Sequence, residues 1–241
     1  MATSSGKKQR RQQVMTQDMG YSQTPIDRKQ TQKFPKLEPK SYRQQDYMDA
    51  IVESDVVFGL GSAGTGKTYV ATHYAAEQLY YKKIDKIIIT RPAVEACGEQ
   101  MGFLPGTLEE KFMPYLLPYM EIFNELLGKS FTEYCLKVGA IEVVPLAFMR
   151  GRSFKDCIVL ADEMENASPM QLKLLLTRIG ENCKMLINGD LDQQDTQGLS
   201  GLTDAIGRTR HVEEVEVIEF TDDDIVRSGL CKKLLKAYKN Y

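Results

Sequence analysis

No tryptophan occurs in the 241 residues, histidine occurs only as His73 and His211, and the five cysteines never stand as a C-x-x-C pair. Two histidines cannot build a histidine-rich metal centre. Cysteines at 97, 135, 157, 183 and 231 lack the paired spacing of a zinc site and the pattern of a disulfide framework. They read as reduced, semi-buried packing residues of a cytoplasmic protein. No apolar run approaches the roughly 18 residues of a membrane span, so no membrane partner is expected. The basic residues near the N-terminus are followed by no apolar segment, which argues against a secretory signal. A strong charge of one sign is lacking too, since the formal net charge is −2. Residues 1–40 carry nine Lys/Arg against three Asp/Glu, or +6, which leaves −8 for the rest. An acidic body argues against a broad nucleic-acid surface, while a local basic groove stays open. Residues 1–36, rich in Gln, Ser, Thr and Lys, read as a disordered basic leader, and a folded domain is expected over 37–241.

What the chain does have is Gly61-Ser62-Ala63-Gly64-Thr65-Gly66-Lys67-Thr68, directly after the apolar run Val56-Val57-Phe58. It fits the phosphate-binding pattern G-x-x-x-x-G-K-[ST] in full. Glycines allow positive φ, so successive N–H groups can turn inward on phosphates at a helix N-terminus. Lys67 would reach the β- and γ-phosphates of ATP, and the Thr68 hydroxyl would ligate Mg²⁺.

Periodicity places a short helix over 42–52, a strand at 55–60, and a helix after the loop ending near Tyr81. Further apolar runs predict strands at 86–90, 141–144, 157–161, 184–187 and 215–220. Ser168-Pro169 offers an N-cap and first-turn pair for a helix over 170–179. Residues of about 95–140 read as a small helical insertion. Alternating strands and helices specify an α/β fold with a mostly parallel sheet flanked by helices, whose ligands bind at the carboxyl ends of the strands.

One of those strands, Cys157-Ile-Val-Leu-Ala161, ends in Asp162-Glu163, the Walker B arrangement. Asp162 would hold Mg²⁺ and Glu163 would polarise the attacking water. Another ends in Asn188-Gly189-Asp190-Leu191-Asp192-Gln193, where Gln193 could contact the γ-phosphate. With Thr90-Arg-Pro-Ala-Val-Glu-Ala96, Gly102-Phe-Leu-Pro-Gly106 and Pro145-Leu-Ala-Phe-Met-Arg-Gly-Arg152, the chain resembles the PhoH-like proteins from about Leu37 onward. The resemblance implies a RecA-like P-loop ATPase whose nucleotide core is similar to that of superfamily 1 helicases. The family's D-E-A-Q-N phrase falls on 162–166 with Glu165 in place of Gln, and its V-V-R-H phrase falls on 225–228 with Ser228 in place of His.

Such families look like ring oligomers, hexamers among them, in which a neighbouring subunit supplies an arginine. Arg227 is the first candidate for that finger and Arg178 the second, with a surface salt bridge as the alternative for each. Gln44 matches an adenine-reading glutamine of helicase relatives, with Gln45 as the neighbouring alternative. Arg91, Arg150 and Arg152 could hold the backbone of single-stranded RNA or DNA. The expected activity is ATP hydrolysis with Mg²⁺. A nucleotide-dependent regulatory module and a small-molecule kinase are the other classes. A second motor domain and a nuclease domain are not expected within this length.

Overall fold

β-branched and aliphatic side chains dominate six strands that lie side by side. The computed structural model describes residues 33–92, 108–194, 200–226 and 229–230. Its strands are β1 (Val56–Leu60), β2 (Lys86–Thr90), β3 (Ile141–Val143), β4 (Cys157–Ala161), β5 (Cys183–Gly189) and β6 (Val215–Glu219). Every neighbouring pair is parallel, in the order β3-β2-β4-β5-β1-β6. The helices are α1 (Tyr42–Glu53), α2 (Lys67–Tyr80), α3 (Leu108–Leu127), α4 (Lys129–Lys137), α5 (Pro169–Leu176) and α6 (Gly201–Thr209).

All residues of β1 and β4 are buried, as continuous apolar strands covered on both faces require. Phe58, Val159, Met185 and Ile187 share one core cluster with Leu172 and Leu175 of α5 and Leu202 of α6. The alternate positions, among them Val57, Ile158 and Leu186, turn to the opposite face, where Tyr47 and Ile51 of α1 and Val70 and Ala71 of α2 are buried. A parallel sheet sends all its carboxyl ends one way, and this brings distant segments to one rim.

The helical insertion is present as α3 and α4, and residues 93–107 lie outside the described residues. α5 begins as expected, with a capping box between Ser168 and Gln171 and Pro169 in its first turn. It stops at Leu176 rather than Ile179. The chain instead turns to pair with Phe154, whose N–H donates to Arg178 O at 2.9 Å. β5 runs on to Gly189 because Asn188 is buried with a partner, its Oδ1 accepting from the Tyr47 hydroxyl at 2.7 Å. α6, capped by Ser200, was not anticipated: its apolar positions Leu202, Ala205 and Ile206 make too short a pattern.

Arg152, one of the arginines expected to hold a nucleic-acid backbone, forms an internal clip. Its guanidinium donates to both Glu142 carboxylate oxygens at 2.8 and 2.9 Å, and Lys86 Nζ joins at 3.0 Å, tying edge strand β3 to β2. The Arg152 bonds, then Lys86, hold the Glu142 carboxyl down at about 2 against an ordinary value of 4.5. A carboxyl depressed in the fold adds stability that is complete above about pH 4.5 and lost as pH falls toward 2. Solvent screening of this half-buried cluster leaves on the order of 1 kcal/mol. Urea unfolding of Glu142→Gln should show lower stability at pH 7 and a shallower acid limb between pH 5 and 2. An unchanged limb would refute this role.

Candidate active site

The phosphate loop follows β1 directly. Gly61 has φ +132°, and a Cβ there would stand 2.6 Å from Phe220 O. Gly66, at φ +87°, caps α2, and a Cβ there would meet Gln44 Nε2 at 2.6 Å. With no side-chain cap at Gly66, the first amides of α2 and the helix dipole present a site for an anion. The loop is braced from behind. Thr65 Oγ1 donates to Ser62 O at 3.0 Å, Ser62 Oγ to Asp222 Oδ1 at 3.1 Å, and Val226 N to Gly64 O at 2.9 Å. Ala63, Gly64 and Gly66 line the cleft in front.

Lys67 is buried, with Nζ donating to Gly61 O, Ser62 O and Thr65 Oγ1 at 2.5, 3.0 and 3.2 Å. Burial lowers its pKa, and the carboxylates of Asp162, Asp190, Glu165 and Glu163 pull the other way. Thr68 Oγ1 donates to Asp162 Oδ2 at 2.9 Å, and the Tyr119 hydroxyl of α3 donates to the same oxygen at 2.9 Å. Burial pushes the Asp162 carboxyl up against these two bonds and Lys67. Glu163 follows with φ +55°, a left-handed conformation that is uncommon for a residue with a Cβ. It is exposed beside the cleft.

β5 lies between β1 and β4, so its end enters the gap between the loop and Asp162. Gln193 Nε2 donates to Asp190 Oδ2 at 2.5 Å, and both line a cleft of about 380 Å³ with Lys67, Thr68, Asp162 and Glu163. Glu165 is wholly buried. Its Oε2 accepts from Asp190 N at 3.1 Å, joining the loops after β4 and β5. Burial first, then the Glu163 carboxyl beside it, push the Glu165 carboxyl up to about 8.

Gln44, not Gln45, stands at the loop. Its Nε2 donates to Thr65 O at 2.7 Å and its Oε1 accepts from Lys40 N at 2.8 Å, whereas Gln45 bonds Asp49 on the surface. Each bond uses one of the amide's two N–H groups or one of its two oxygen lone pairs, which leaves a second of each. Arg178 lies at the amino ends of the strands, where its carbonyl takes Phe154 N just before β4. It therefore stands opposite its own chain's cleft. Arg227 lies outside the described residues. Sequence reasoning missed Tyr119, one tyrosine of twelve and in no motif, and it missed the link from Glu165 to Asp190.

Among the described residues no three His, Cys, Asp or Glu side chains gather as a metal cluster. The adjoining hard oxygens of Thr68 and Asp162 suit Mg²⁺, which keeps several waters and takes few protein ligands beside phosphate. No helix among the described residues is long and apolar enough to cross a membrane.

The sequence profile described as PhoH-like protein matches residues 36–239. Protein PhoH of Escherichia coli K12 is 44% identical over 199 residues, covering 81% of this chain and 56% of that protein. A PhoH-like protein of Bacillus subtilis is 45% identical over 201 residues, covering 83% and 63% respectively. The chain thus matches little more than half the length of these relatives. Among solved structures, the Hef helicase domain of Pyrococcus furiosus aligns with a TM-score of 0.45 at 15% identity, covering 78% of this chain and 39% of that one, a likeness that carries no functional weight.

A carboxyl raised by the fold costs stability as pH climbs from its ordinary 4.5 to about 8. Glu165→Gln should remove that cost and stabilise the protein more at pH 8 than at pH 5, by on the order of 2 kcal/mol. Thermal unfolding at both pH values checks this, and an equal shift at both would count against the buried proton.

Proposed function

The chain belongs to the PhoH-like protein family, and from that premise we propose that the cleft binds ATP with Mg²⁺ and hydrolyses it. The observation that carries the reading is the convergence of Lys67, Thr68, Asp162 and Glu163 on one cleft, with Thr68 and Asp162 joined at 2.9 Å. Lys67 leaves the loop carbonyls to meet the β- and γ-phosphates, while the α2 amides receive their remaining charge. Thr68 and Asp162 would hold Mg²⁺, which would supply charge to offset that of the transferring phosphoryl group. Glu163 aligns a water with the γ-phosphorus and accepts its proton as the oxygen attacks. Gln193, set by Asp190, faces the γ-phosphate side.

Among the described residues, Arg91 is the cation that lines the cleft with Lys67. An arginine from a second copy would complete the transition-state charge balance. Arg227, in the stretch that matches the family's V-V-R-H phrase, is our first candidate, and Arg178 is the second. A homo-oligomeric ring is the arrangement that supplies it to every site. Single-stranded RNA or DNA is the proposed polymer partner, with Arg91 at the cleft and exposed Arg150 as phosphate contacts.

Glu163→Gln should retain ATP binding and lose about 10²- to 10⁴-fold in phosphate release. Lys67→Ala should weaken ATP binding about 10- to 100-fold. Calorimetry and a phosphate-release assay check both. Wild-type turnover in Glu163→Gln would remove that residue from the role of base.

A further inference from the structure

Two cysteines 26 positions apart in the chain meet at the far end of the sheet. Cys157 and Cys183 are register partners on the adjacent parallel strands β4 and β5. Their sulfurs lie 3.8 Å apart, and both thiols are free and buried. They line a cleft of about 620 Å³ with Asp55, Tyr74, Lys83 and Lys184. It shares no residue with the cleft around Lys67.

Neighbouring strands run about 4.8 Å apart, inside the roughly 4.4–6.8 Å Cα separation that a disulfide spans. Closing the sulfurs to about 2.05 Å is therefore a matter of side-chain rotation. The two thiols are unequal. The Cys157 S–H donates to Cys183 Sγ. That bond, together with one from the Gly180 backbone, favours the Cys183 thiolate against burial, while the same bond and burial push Cys157 up.

We propose that Cys157 and Cys183 form a redox-active dithiol that a hydroperoxide entering this cleft oxidises reversibly to a disulfide, clamping β4 to β5. Cys183 thiolate attacks the terminal peroxide oxygen. The O–O bond breaks, and the departing oxygen leaves as an alcohol, or as water from hydrogen peroxide, after taking up a proton. Cys183 is left as a sulfenic acid. Cys157 sulfur then attacks the Cys183 sulfur, the S–O bond breaks, and water leaves with the Cys157 proton. Two thiols lose two electrons and the peroxide gains them. An external thiol reverses the step by two exchanges and leaves as its own disulfide. The inference is independent of the nucleotide reading.

The test treats the full native chain with hydrogen peroxide, alkylates the remaining thiols and maps peptides without reduction. A Cys157–Cys183 linked peptide, abolished by dithiothreitol, is expected. Cys157→Ser should trap Cys183 as a sulfenic acid that dimedone labels. Cys183→Ser should slow oxidation at Cys157 at least about tenfold. Should both thiols stay alkylatable while circular dichroism shows the chain folded, or should the link join other cysteines, the proposal fails. Equal oxidation rates in the two serine variants would overturn Cys183 as the nucleophile. The wild-type map needs no variant to fold.

Discussion

The hydrogen bond from Thr68 to Asp162 is the contact on which the rest of the site depends. It joins the first turn of α2 to the end of β4, across the intervening strand β5. The bond closes only if α2 starts directly after its cap Gly66, so that Thr68 faces the sheet rim, and if β4 ends at Ala161. Parallel pairing of β4 with β5 and of β5 with β1 then sets how far apart the two segments sit. The end of β5 falls into the gap between them, which is why Asp190 and Gln193 belong to the same cleft. Glu165 reaches Asp190 N and ties the two loops into one unit.

The site gathers charge where a fold built for stability alone would avoid it. Lys67 is drawn down by burial, while Asp162 and Glu165 are pushed up. These opposed shifts describe one cluster in which lysine and carboxylates stabilise one another incompletely. The strained φ of Glu163 adds to that cost. An anion and a divalent cation suit such a cluster, because each finds its counter-charge already oriented. The deficit is carried by the rest of the fold: fully buried β1 and β4, and the Arg152–Glu142 clip at the sheet edge.

Much of this was legible in the chain. Strands buried on both faces announce themselves as unbroken apolar runs, and all six appear within a few residues of expectation. The glycines, Lys67 and Thr68 are readable because phosphate binding demands those residue types at fixed spacing. Asp162 and Glu163 are readable because an apolar strand leads into them. Other features depend on contacts between segments far apart in the chain. Tyr119 meets Asp162 only through the docking of α3. Arg152, one of the arginines expected to hold a nucleic-acid backbone, has Glu142 set beside it by the register of β3. Cys157 and Cys183 show no motif, since their proximity is a matter of strand register alone.

The most direct test of the account is multiple-turnover phosphate release by the purified chain under saturating ATP, with Mg²⁺ and then with a chelator in excess. Release of many phosphates per chain with Mg²⁺ and none after chelation is the predicted result. Undiminished release under chelation, or no release at all despite measurable Mg²⁺-dependent ATP binding, would contradict it.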